Sequence, residues 1–128
     1  MPPEGSLTST QFEILQLLWN SQDDLSVAEI WEAIREERDV SRTTILNLVD
    51  RLAKRGWLKR RKIDGVYRYC PAIDREETEG KLASEFLEEF FNGSATSLLL
   101  SLLGSKRITR AELKRLRAML DNPESRKS

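Results

Sequence analysis

The sequence has no histidine and only one cysteine, Cys70, among its 128 residues. Metal sites built from imidazole or from a cysteine cluster are therefore excluded, as is catalysis by a Ser-His or Cys-His pair. A single cysteine cannot form an internal disulfide, which favours a reducing compartment. The length predicts one ordinary domain, or a small domain with an appendage.

Long hydrophobic runs are also lacking. No run exceeds three residues, as at 98–100, where Leu102 and Leu103 follow Ser101, whereas a membrane span needs about 20 apolar residues. The first six residues have neither the basic start nor the apolar stretch of a signal peptide. We therefore expect no membrane insertion and a cytoplasmic location. Because glycine-rich phosphate loops and nucleophile–base pairs are also missing, we expect no enzyme, no cofactor and no metal.

The net charge is zero, but the charges are unevenly distributed along the chain. Residues 1–41 carry two Lys/Arg against nine Asp/Glu, a balance of −7. Residues 42–68 carry nine Lys/Arg against two Asp/Glu, a balance of +7, and residues 69–128 carry ten of each. A basic central segment is typical of nucleic-acid binding, although a charged, solvated face gives the same pattern.

Three helices are predicted before residue 57. Each begins with a hydroxyl side chain in a capping position: Thr8 or Thr10 for the first, Ser26 for the second and Ser41 for the third. Gly56 suits the left-handed position that ends the third helix. Asp64-Gly65 then separates two β-prone runs, residues 57–63 and 66–70, which is a strong hairpin signal.

Three short helices followed by a hairpin is the order of a winged helix-turn-helix domain. The predicted fold class is therefore mainly α, with this domain at residues 5–72. The third helix is the predicted recognition helix and the hairpin is the wing. A protein-interaction module without specific DNA binding is the alternative function for the same fold.

The predicted DNA contacts lie on the third helix and the wing. Thr43, Thr44 and Asn47 are short hydrogen-bonding side chains suited to a base edge or a phosphate, and the cations suit phosphates. Capping alone explains Ser41 equally well. The full set of predicted contacts is Ser41, Arg42, Thr43, Thr44, Leu46, Asn47, Arg51, Lys54, Arg60, Arg61, Lys62 and Arg68.

Residues 74–121 are predicted to form three further helices and a dimerisation domain, followed by a flexible tail at residues 122–128. The three helices carry too little apolar surface for a core of their own, so we expect a homodimer. Folding back onto the first domain is the alternative. The predicted dimerisation residues are Leu82, Phe86, Phe90, Phe91, Leu98, Leu99, Leu102, Leu103, Leu113, Leu116 and Leu120.

An ordered set of motifs covers residues 7–120 and resembles the penicillinase repressor family (BlaI/MecI/CopY). The motifs are TSTQFEILQLLW at 8–19, VAEI at 27–30, SRTTILNLVDRLAKRGWL at 41–58, YRY at 67–69, SLLL at 97–100 and TRAELKRL at 109–116. The resemblance implies a dimeric transcriptional repressor on a palindromic operator in double-stranded DNA. In this family such operators often control genes of β-lactam resistance or cell-wall stress.

From the best-known branch of the family, the resemblance also implies a membrane sensor-protease as partner, which ends repression by cutting the dimerisation region. The family is cut at an Asn-Phe pair, and the matching positions here are Ser101 and Leu102. The family often has Arg where this chain has Leu46, so its operator sequence is not transferred. A Cys-x-Cys tail, which the copper-responsive branch uses, is missing from this C-terminus.

Overall fold

The structure is a computed structural model that describes residues 3–122. The predicted tail therefore lies outside the described residues, except for Asn122. Within the described range, none of the helices combines the length and the apolar character needed to cross a bilayer. The elements in chain order are α1 (Ser9–Asn20), β1 (Leu25–Ser26), α2 (Val27–Ile34), α3 (Arg42–Lys54), β2 (Leu58–Ile63), β3 (Val66–Pro71), α4 (Arg75–Phe91), α5 (Ala95–Gly104) and α6 (Arg110–Asp121).

The order of elements confirms the predicted winged helix-turn-helix. One hydrophobic core holds the first three helices and the sheet together, and α3 contributes Ile45, Val49 and Leu52 to it. Leu48 is half-buried and packs against this core. The other buried members are Ile14, Leu15, Leu18, Ile30, Ile34, Trp57, Leu58 and Tyr69.

Capping side chains define where the helices begin. Thr8 forms a capping box with Gln11, so the first helix uses Thr8, and Thr10 lies inside α1. Ser26 forms the same motif with Glu29 at the start of α2. A capping box satisfies two backbone donors that have no partner within the helix. These local signals therefore fix the starts of α1 and α2 before any tertiary packing.

The wing belongs to a three-stranded antiparallel sheet with the order β1-β3-β2. β1 has only two residues, and it pairs Leu25 with Tyr69 and Ser26 with Arg68. This strand was not predicted, because two residues are too short to show an alternating pattern. It joins the beginning of α2 to the middle of β3.

Two tryptophans fix the chain on either side of α3. The indole N–H of Trp31 donates to the carbonyl of Val40, just before the helix, at 3.0 Å. The indole N–H of Trp57, just after the helix, donates to the carbonyl of Glu4 at 3.0 Å. Buried tryptophan usually satisfies its N–H in this way. The ends of α3 are thus held by hydrogen bonds as well as by packing.

The described chain divides into two compact units between Gly80 and Lys81, inside α4. Asp74 caps this helix, accepting from the backbone N–H of Glu77 at 2.8 Å. Thr78 is fully buried in the next turn, and Arg75 donates to the side chain of Asn20 at 2.7 Å. The first turns of α4 therefore belong to the N-terminal unit, and the rest of α4 belongs with α5 and α6.

Candidate nucleic-acid interface

The third helix has two faces of opposite character. Ile45, Val49 and Leu52 are completely buried and fix the rotation of α3 about its axis. Every predicted contact within the helix lies outside this buried stripe and is exposed. These are Arg42, Thr43, Thr44, Leu46, Asn47, Arg51 and Lys54.

Ser41 and Thr44 form the cap of α3. The Ser41 hydroxyl accepts a hydrogen bond from the backbone N–H of Thr44 at 3.1 Å, and the two hydroxyl oxygens lie 2.9 Å apart. An N-cap of this kind stabilises a helix by about 1 kcal/mol. Both side chains are nevertheless exposed, at the helix end that favours an anion.

Two cations lie near the end of the exposed face of α3. Lys54 Nζ is 3.0 Å from Asp50 Oδ2, one helical turn earlier, and three-quarters of the lysine side chain is exposed. Exposed pairs of this kind are weak and give way readily to another anion. Arg51 is exposed beside Lys54 and lines a shallow surface groove with Arg55 and Thr8. This end of α3 is therefore electropositive without being rigidly paired.

The wing is a hairpin with a tight turn at Asp64 and Gly65, whose φ values are +51° and +80°. Two successive positive φ angles define the turn type that matches the twist of paired strands. The register pairs Arg61 with Arg68 and Lys62 with Tyr67. Because strand side chains alternate, neighbouring cations of β2 lie on opposite faces of the wing.

On one face of the wing, two cations lie against an aromatic ring. The Arg60 guanidinium is 4.2 Å from the centroid of the Tyr67 ring, and Lys62 Nζ is 5.4 Å from it. A ring attracts cations through its quadrupole but does not cancel their charge. Tyr67 was not among the predicted site residues. The signal that could have identified Tyr67 is the YRY motif at 67–69, which places an aromatic side chain on the second strand of the wing.

On the other face, the predicted phosphate contacts are already paired with carboxylates. Arg61 donates from Nη2 and Nε to Asp24 Oδ2 at 2.8 and 3.1 Å. Arg68 Nη1 donates to Glu29 Oε1 at 2.8 Å and to the Asp24 carbonyl at 3.2 Å. Hydrogen bonding from the backbone N–H of Ser26, followed by smaller effects of the Ser26 hydroxyl and Arg68, lowers the pKa of Glu29. These carboxylate partners are not predictable from the sequence pattern, because they come from residues distant in the chain.

Cys70 lies half-buried on β3. Burial is the main cause that raises the pKa of its thiol, so the thiol is neutral at pH 7 and poorly reactive. Across residues 3–122, no three His, Cys, Asp or Glu side chains are grouped so that they could hold a metal ion.

The C-terminal unit leaves apolar side chains uncovered. In α5 and α6 no side chain is fully buried. The Phe86 ring packs against Phe90 and Phe91 at centroid distances of 5.0 and 5.8 Å. Of the predicted dimerisation residues, Leu82, Phe91, Leu98 and Leu102 are half-buried, while Phe86, Phe90, Leu99, Leu103, Leu113, Leu116 and Leu120 are exposed. Leu100, which was not predicted, is also exposed.

Comparison with known proteins identifies the family. The family model described as penicillinase repressor matches residues 7–122, which include the whole of the winged helix and the three C-terminal helices. The chain belongs to the penicillinase repressor family. The resemblance found in the sequence is thereby confirmed.

Relatives of this repressor match it along nearly their whole length. The methicillin resistance regulatory protein MecI of Mammaliicoccus sciuri is 26% identical over 115 residues, which cover 90% of this chain and 93% of MecI. The penicillinase repressor of Staphylococcus aureus is 27% identical over 116 residues, which cover 91% of each chain. Both comparisons therefore include the wing and the C-terminal helices.

A solved structure supports the fold of this repressor. The solution structure of the Bacillus licheniformis BlaI monomeric form in complex with the blaP half-operator matches with a TM-score of 0.50 and 23% identity. The match covers 57% of this chain and 88% of that one. The protein is a DNA-binding transcriptional repressor and not an enzyme, as its family membership shows. The alternative function, a protein-interaction module without specific DNA binding, is therefore not supported.

Proposed function

We propose that this repressor binds a palindromic operator in double-stranded DNA as a homodimer, with α3 selecting the sequence. The observation that carries the proposal is the exposed face of α3, where Thr43, Leu46 and Asn47 stand opposite a stripe fixed in the core. Side chains on such a rigid helix can be held in register with base edges in the major groove. The winged-helix order of elements supports this placement.

Cations around that face supply affinity through phosphate contacts, which makes binding sensitive to salt. On the wing, Arg60 and Lys62 are available for phosphate because an aromatic ring, not a carboxylate, lies beside them. Arg61 and Arg68 have to exchange or share a carboxylate partner to make the same contact. The hydroxyl and cationic residues of α3 and its N-cap that we assign to phosphate are Ser41, Arg42, Thr44, Arg51 and Lys54.

In a homodimer, the second protomer would cover the apolar side chains that the C-terminal unit leaves exposed. Phe90 is 62% exposed and Leu103 is 42% exposed, and contiguous apolar exposure marks interaction surfaces. Two-fold symmetry places the two α3 helices on half-sites about 10 base pairs apart, or a multiple of that. The BlaI complex, solved as a monomer on a half-operator, supports the assignment of one half-site to each winged helix.

The names of the relatives suggest what this repressor controls. They are regulators of methicillin resistance and penicillinase, so we assign this repressor, acting in the cytoplasm, to genes of β-lactam resistance or cell-wall stress. A membrane sensor-protease is the corresponding partner. Ser101 and Leu102, which match the family's cleavage position, lie within α5, with Ser101 exposed and Leu102 half-buried. Cleavage there requires local unwinding of the helix.

Fluorescence anisotropy of the full-length protein tests the proposal. The titration uses a labelled duplex from the region upstream of its own gene, and a scrambled duplex of the same composition, at 150 mM salt. We expect a preference of about a thousandfold or more for the upstream duplex. Equal and weak binding to both duplexes contradicts sequence-specific recognition of that region.

A further inference from the structure

Leu46 is an apolar side chain on the otherwise polar outer face of α3. It is 47% exposed, although leucines in a helix of this kind normally pack inward. Its neighbours one turn away on the same face are Arg42, Thr43 and Asp50. All three of these side chains carry polar groups. Leu46 therefore presents exposed hydrocarbon among the predicted DNA contacts of α3.

The chemistry of the major groove limits what such a side chain can recognise. Base edges there present hydrogen-bond donors and acceptors that hydrocarbon cannot satisfy, and covering them without a partner is unfavourable. The exception is the 5-methyl group of thymine, which is apolar. A leucine in this position also gives no phosphate contact, because it has no donor.

We propose that Leu46 recognises the 5-methyl group of a thymine in each half-site of the operator and is a specificity-determining residue. The inference depends on the proposed function, because it requires α3 to lie in the major groove. Contact between Leu46 and the methyl group removes apolar surface of both from water. Removing one methyl weakens binding by about fourfold, and removing one from each half-site weakens it by about fifteenfold.

Thr43 is the competing candidate, since its own methyl group is also apolar and it lies three residues before Leu46 on the same face. The two side chains differ in a way that can be separated. Thr43→Ser removes the methyl and keeps the hydroxyl, whereas Leu46→Ala removes most of the exposed hydrocarbon. Neither side chain belongs to the hydrophobic core, so both variants are expected to fold as the wild type does.

The test begins with selection of binding sites from a random duplex library by the full-length protein. Each thymine of the enriched half-site is then replaced by deoxyuracil, which lacks only the 5-methyl group. For the wild type and for Thr43→Ser, we expect that deoxyuracil at one thymine position of a half-site lowers the affinity about fourfold. For Leu46→Ala, we expect equal affinity for the thymine and uracil duplexes.

A second arm places cytosine or 5-methylcytosine at the same position. The wild type should prefer the methylated base about fourfold, and Leu46→Ala should not distinguish the two. A full uracil penalty that persists in Leu46→Ala, or no penalty at any thymine for the wild type, overturns the inference and leaves the repressor proposal intact. If selection enriches no site and a scrambled duplex binds equally well, both proposals fail.

Discussion

At the scale of single residues, the wing separates two arginines that are adjacent in the sequence. Arg60 lies over the Tyr67 ring, whereas Arg61 is bound by Asp24 on the opposite face. We expect Arg60→Ala to weaken binding to all duplexes and to reduce the slope of log K against log salt by about 0.9, the loss of one phosphate contact. Anisotropy at several salt concentrations measures that slope.

Arg61→Ala is the matched variant for this experiment. Because Asp24 already compensates the charge of Arg61, we expect a smaller change in the salt slope than for Arg60→Ala. Equal changes in the two variants would show that the Asp24 contact opens when DNA binds, and that both faces of the wing reach phosphates.

Asn47 belongs to the same scale, because its amide is suited to a bidentate contact with adenine. Its side chain is exposed, so Asn47→Ala should not lower the unfolding temperature. We expect the variant to lose about 1–3 kcal/mol of discrimination at one base position of each half-site. Competition with a set of single-base operator variants measures this loss.

Arg51→Ala is the control for Asn47→Ala, since a phosphate contact affects all sequences alike. An equal loss of affinity for every duplex on replacing Asn47 would assign that residue to the backbone of the DNA instead. The exposed positions of α3 can thereby be sorted into base contacts and phosphate contacts.

At the scale of elements, the start of α1 depends on one of two similar threonines. The Thr8 hydroxyl accepts from the backbone N–H of Gln11 at 3.1 Å, whereas Thr10 lies inside the helix. We expect Thr8→Ala to lower the free energy of unfolding by about 1 kcal/mol. Thr10→Ala should have little effect or slightly stabilise the helix, because alanine has the higher helix propensity. Chemical denaturation of both variants gives the comparison.

The turn of the wing provides a second test at this scale. Gly65 has a φ of +80°, and an alanine in this conformation costs about 1–2 kcal/mol. We expect Gly65→Ala to increase hydrogen exchange of the wing amides and to weaken DNA binding. Gly80→Ala is the control, because Gly80 is helical and a Cβ there meets no atom within 4 Å. That variant should be more stable by about 0.5–1 kcal/mol.

Elements with local signals were predictable from the sequence, and contacts between distant residues were not. The caps at Ser26 and Ser41 and the Asp64-Gly65 turn are determined by a few adjacent residues, and all are present in the structure. β1 was missed because its two residues become a strand only by pairing with Tyr69 and Arg68. For the same reason, the sequence did not predict the ion pair between Arg61 and Asp24, which are 37 residues apart.

At the scale of the whole molecule, the zero net charge is the sum of an acidic N-terminal segment and a basic central segment. The acidic residues 1–41 include Asp24 and Glu29, which hold two of the wing cations. The basic residues 42–68 contain α3 and most of the wing. Total charge alone would not indicate a DNA-binding protein, because the acidic segment compensates the basic one. The relevant quantity is the charge of the exposed surface around α3.

The proposed homodimer leads to a prediction that links assembly to DNA binding. Phe90 is among the most exposed large apolar side chains of the C-terminal unit. In a symmetric interface each protomer contributes one Phe90, so the substitution removes two buried rings. We therefore expect Phe90→Ala to weaken the dimer by about 3 kcal/mol. Sedimentation equilibrium of the full chain measures this change, with Glu89→Ala, which replaces an exposed neighbouring carboxylate, as the control.

Operator binding should follow dimer formation, because two linked winged helices bind two half-sites far more tightly than one binds alone. We therefore expect Phe90→Ala to lose affinity for the full palindrome while its affinity for an isolated half-site stays unchanged. The N-terminal unit has its own buried core, so its fold should survive the substitution. Unchanged sedimentation together with unchanged palindrome binding would exclude Phe90 from the interface. A loss of half-site affinity would instead indicate that the substitution disturbs the winged helix itself.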